Sequence, residues 1–269
     1  RSKNNEIRVE VYDDERRCPS SFEHYKRLYL DCQKHEHGQD LYLVLLGTGD
    51  SASLRENAKS VLRVKTDQAN DDNGKWVSEL FSSVRVIDAL DRDATAVDGK
   101  FRRMVDEMKQ RKRDRNFATG SHAIVMIYFQ GKVHLTNDDF KFVTETGQSQ
   151  KSPHFSGKSL ETTLNETYGA HLLFLDLNQN DSVVTERDIW PRAPQLGIMI
   201  SNWKGDKKQP PDTQLISALQ RVLPENRIVR QLVSKLDASY AEKRGEFPGN
   251  IETKLDLLND LKDVRIGVE

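Results

Sequence analysis

Apolar residues in this chain cluster in short, dense runs separated by long polar stretches. Four runs are nearly uninterrupted, at 41–46, 123–129, 172–177 and 196–200. A run of five to seven apolar residues with abrupt polar ends is the pattern of a strand buried on both faces of a parallel sheet. A fifth strand is expected over Val84–Leu90, and Ile7–Tyr12 alternates as an edge strand does. Helical spacing predicts helices over Phe22–Lys34, about Leu54 to Val64, Lys100–Lys112, from Ser159 or Glu161 to about Thr167, Thr213–Leu223, Asn226–Tyr240 and Thr253–Leu261. Gly131–Leu135 reads as a short ribbon, Thr144–Gly157 as a mobile loop, and 178–189 and 205–212 as polar loops.

Strands alternating with helices predict an α/β fold, a three-layer α/β/α sandwich around a mostly parallel sheet. The expected division is an N-terminal flank over 1–39, a core domain over 40–225 and a C-terminal helical flank over 226–269. In such sheets, ligand and catalytic groups stand just past the carboxyl ends of the strands. The third core strand ends at His122-Ala-Ile-Val-Met-Ile-Tyr-Phe-Gln-Gly-Lys132, and the fourth at His171-Leu-Leu-Phe-Leu-Asp-Leu-Asn178.

Composition narrows the function classes. The chain of 269 residues carries 41 basic and 42 acidic side chains, for a net charge of −1. A nucleic-acid binder shows a basic excess or a strong basic face. The best local patch, Lys109-Gln-Arg-Lys-Arg-Asp-Arg115, reads as the solvated end of a helix, so no nucleic-acid partner is expected. No run reaches the roughly 18 apolar residues of a membrane helix, and no membrane partner is expected. Cys18 and Cys32 lack CxxC spacing, which points to a reducing compartment and a cytoplasmic location. His35 and His37 are two potential ligands in a polar turn, short of the three or four that a metal site needs, and no metal or cofactor is expected.

Gly47-Thr-Gly-Asp-Ser-Ala52 fits a G-x-G-x-x-A phosphate-binding turn, although the acidic residue expected about 20 positions on is not convincingly placed. Nucleotide binding through this loop is one alternative function. A hydrolase using Ser121 or Ser182 with Lys132 is another, because serine–lysine pairs work where the lysine is buried and its pKa depressed.

Three segments together resemble the caspase-like cysteine peptidases (peptidase C14: caspases, metacaspases and bacterial relatives). Leu54-Arg-Glu-Asn-Ala-Lys-Ser-Val-Leu62 is similar to the helix after the first strand, without its aspartate. Tyr128-Phe-Gln-Gly-Lys-Val133 stands where the family has Tyr-Phe-Ser/Ala-Gly-His-Gly, with the general base at the histidine. Leu175-Asp-Leu-Asn-Gln-Asn180 stands where it has Leu-Asp-Ala-Cys, with the nucleophile at the cysteine. The resemblance covers about 40–225 and implies a caspase–haemoglobinase type fold.

The departures carry the functional expectation. Lys132 takes the place of the catalytic histidine and Asn178 that of the catalytic cysteine. The chemistry needs a thiolate held by an imidazole. An amide is no nucleophile here, and an exposed lysine holds its proton at neutral pH. The resemblance therefore implies a pseudo-peptidase without activity, serving protein or peptide binding, scaffolding or regulation inside a larger signalling protein. Lys132 and Asn178 are expected to hydrogen-bond each other. Gly131, Asp176, Asp181 and Asp188, with Glu186, are the expected groove residues, the carboxylates facing a basic peptide. Whether the chain is monomeric or a homodimer is left open.

Overall fold

A computed structural model describes residues 39–48, 51–62, 80–114, 123–135, 139–144, 155–177, 191–203, 215–243, 249–254, 261 and 264–267. In chain order these form β1 (Asp40–Gly47), α1 (Ser51–Leu62), β2 (Ser83–Leu90), α2 (Ala94–Asp114), β3 (Ala123–Gly131), β4 (Val133–Leu135), β5 (Phe140–Phe142), β6 (Phe155–Ser156), α3 (Gly157–Asn165), β7 (Ala170–Leu177), β8 (Leu196–Trp203), α4 (Leu215–Val222), α5 (Val229–Lys243) and β9 (Gly249–Lys254).

The main sheet has the order β2-β1-β3-β7-β8-β9. Its first five strands are parallel and β9 runs antiparallel to β8. β1, β3 and β7 lie inside the sheet, and their side chains are buried at almost every position. That double burial is why their sequences are continuous apolar runs without alternation. Residues of one parity, such as Leu43, Met126 and Phe174, pack with Leu54, Ala58 and Val61 of α1 and with α4 and α5. The other parity, such as Val44, Ile127 and Leu175, packs with Phe101, Met104 and Met108 of α2 and Leu160 and Leu164 of α3. The result is the expected three layers.

The ribbon after β3 is a second sheet of order β4-β5-β6. Its inner face contributes Phe140, Phe142 and Phe155 to the α2 side of the core. Phe155 stacks on Phe101 with ring centroids 5.2 Å apart, and Phe142 tilts against Phe129 at 4.7 Å. The last residues of the segment expected to be a mobile loop, Phe155 to Gly157, are thus a strand and the start of α3. Ser156 caps that helix, its Oγ accepting the Ser159 N–H at 3.0 Å.

One expectation at the C-terminus needs correction. Thr253 and Lys254 belong to β9, where Thr253 pairs with Met199 and Lys254 with Ile198, and do not begin a helix. The described residues of the expected flank over 226–269 also meet the core. Val229, Leu232 and Leu236 of α5, with Leu261 and Ile266, are buried in the α1 side of the core. The Gln39 side chain ties the two ends of the domain together. Its Nε2 donates to the Arg265 carbonyl at 2.9 Å, and its Oε1 accepts the Gly267 N–H at 2.6 Å.

At the amino end of the sheet, Asp40 is fully buried. It accepts from Arg111 Nη1 at 2.9 Å and from Ser83 Oγ at 2.7 Å. Lys109 pairs with Glu166 at 2.6 Å. Two cations of the basic stretch are thus bound within the domain. The expected strand over Ile7–Tyr12, the helix over Phe22–Lys34 and the His35/His37 turn lie outside the described residues.

At the same end, the second residue of β7, His171, is buried. The Pro194 carbonyl lies 3.0 Å from His171 Nδ1 and can only accept, so Nδ1 carries the proton. In the neutral ring Nε2 is an acceptor, 2.7 Å from the Thr167 hydroxyl, whose one proton also has the Leu164 carbonyl within reach at 2.8 Å. Burial lowers the His171 pKa below the usual value, against a smaller upward pull from the Pro194 bond. The unfolded chain therefore takes up this proton more readily than the folded one. Stability from this group is complete above about pH 6.5 and falls as the pH drops below that toward the folded-state value. Denaturant unfolding from pH 8 to pH 5 should show a steeper acid-side loss in the wild type than in His171→Gln; identical slopes would remove His171 from the balance.

Candidate functional site

The carboxyl ends of the central strands meet in one row. Gly47 of β1 pairs with Gln130 of β3, Gln130 with Asp176 of β7, and Asp176 with Ser201 of β8. One position further, Gly131 pairs with Leu177. Lys132 follows the first of these and is exposed at the bend into β4. Asn178 follows the second in sequence and lies outside the described residues, so the expected Lys132–Asn178 hydrogen bond does too. Asp181, Ser182, Glu186, Asp188 and Ser121 also lie outside them.

β1 and β3 leave the sheet in opposite directions, β1 toward β2 and β3 toward β7. The crevice at such a reversal is the usual ligand position in open α/β sheets. Here it is closed by backbone contact. Thr48 N–H donates to the Gln130 carbonyl at 3.0 Å. Gly47 has φ +121°, and a Cβ there would lie 1.9 Å from the Gln130 oxygen. The first glycine of the phosphate-turn match is therefore required for β1 to lie against β3, whatever else the loop does. Gly131, at φ +148°, sits against the Phe129 ring and Thr48 Oγ1, with room for a Cβ only at 3.3 and 3.4 Å. It is buried, and it serves the turn that delivers Lys132 and the exposed His134 to the rim. Thr48 and Gln130, half-buried at the same rim, were not singled out by the sequence. The only signal they carried was their place at strand ends.

Asp176 departs most from expectation. It was expected to face a basic peptide from the groove, and it is fully buried. Its Oδ2 accepts the Tyr128 hydroxyl at 2.6 Å and the Leu215 N–H at 2.8 Å. Leu215 opens α4, and the first amides of a helix have no partner within it. A carboxylate placed there satisfies one of them and meets the positive end of the helix dipole. The physical reason for the correction is side-chain direction. Asp176 shares the parity of Leu172 and Phe174, whose side chains face the layer containing α1, α4 and α5. An aspartate inside the run Leu-Leu-Phe-Leu-Asp-Leu carries its own signal: a charge flanked by buried apolar positions must be paired internally.

Among the described residues, no group of three or more His, Cys, Asp or Glu side chains is placed to hold a metal ion. No helix among them is long and apolar enough to cross a membrane. Comparison with protein-family models gives no match, and comparison with curated proteins gives none either.

Replacing Asp176 by alanine leaves the Tyr128 hydroxyl and the Leu215 amide buried without this acceptor, at about 1–3 kcal/mol for each group. We expect Asp176→Ala to lower the denaturation midpoint strongly, and Asp176→Ala with Tyr128→Phe to recover part of the loss. If Asp176→Ala unfolds at the wild-type midpoint, the carboxylate does not hold this corner.

Proposed function

We propose that the chain is a catalytically inactive caspase-like domain whose strand-end rim serves protein or peptide binding, within a larger regulatory or signalling protein. The observation that carries this reading is the in-register neighbouring of β3 and β7 up to Gly131 and Leu177. The two chain positions that resemble a general base and a nucleophile follow directly on these paired residues, and they hold lysine and asparagine. The α/β layering, the mainly parallel sheet and the helix α3 before β7 fit the same resemblance.

The chemistry of the rim supports binding over turnover. Peptide hydrolysis by this route needs an activated thiolate, and both cysteines of the chain, Cys18 and Cys32, precede β1. Asp176 is occupied by Tyr128 and α4, so it is no free base and no free peptide acceptor. The rim keeps what a binding surface requires: an exposed ammonium at Lys132, the imidazole of His134, polar Thr48 and Gln130, and a rigid backbone turn beneath them. An extended peptide would be held there by main-chain hydrogen bonds and by side-chain contacts to the rim.

Incubation of the purified chain with peptide libraries carrying acidic, basic and neutral residues should release no product above background. Reproducible turnover abolished by Lys132→Ala would instead establish a hydrolase using that amine.

A further inference from the structure

We draw no further inference here: the strongest candidate, the surface patch on the β4-β5 ribbon where Lys132, His134 and Lys141 lie together, belongs to the rim already described, and nothing among the described residues shows what covers it.

Discussion

One buried carboxylate fixes the geometry at the carboxyl end of the sheet. Asp176 accepts from the Tyr128 hydroxyl on the neighbouring strand and from the first amide of α4. Through that one side chain, the end of β7 is tied to β3 and to the helix that follows β8. A carboxyl group is costly to bury without hydrogen bonds, so the bonds to Tyr128 and Leu215 are the condition for its being there. The described part of the rim rests on these two bonds to Asp176 Oδ2 and on the tight packing of Gly47 against Gln130.

Much of this was legible in the sequence wherever a segment is buried on both sides. β1, β3, β7 and β8 are apolar because both faces are covered, and such runs announce themselves without reference to the rest of the chain. The helices that follow them show regular apolar spacing for the same reason. β9 could not be read in this way. Gly249-Asn-Ile-Glu-Thr-Lys254 holds one strongly apolar residue, and its strand state comes from pairing with β8, a tertiary partner that local pattern does not reveal. The charged helix pattern of the C-terminal segment hides the few residues, Leu232, Leu236 and Ile266 among them, that complete the core.

The candidate site was legible in position and less so in role. Strand ends are recognisable from sequence, and Lys132 does stand at the rim. The role of Asp176 was misjudged because a carboxylate near a strand end was read by its charge, when its parity within an apolar run already directed it inward. Gly47 carries two readings at once. A glycine after a strand suits a phosphate turn and a close backbone approach equally well, and the distance to the Gln130 oxygen shows the second.

The proposed function requires that Lys132 and Asn178, the positions following the paired ends of β3 and β7, face each other. Restoring the side chains tests it. An imidazole beside a thiol lowers the thiol pKa and raises the thiolate fraction at mildly acidic pH. In a Cys18→Ser, Cys32→Ser background, Asn178→Cys should alkylate at pH 6 about tenfold or more faster with Lys132→His than with Lys132→Ala, because a cation beside the thiol lowers its pKa by one unit or more. Equal rates for these two double variants would mean that the two positions do not face each other, and would contradict the proposed function.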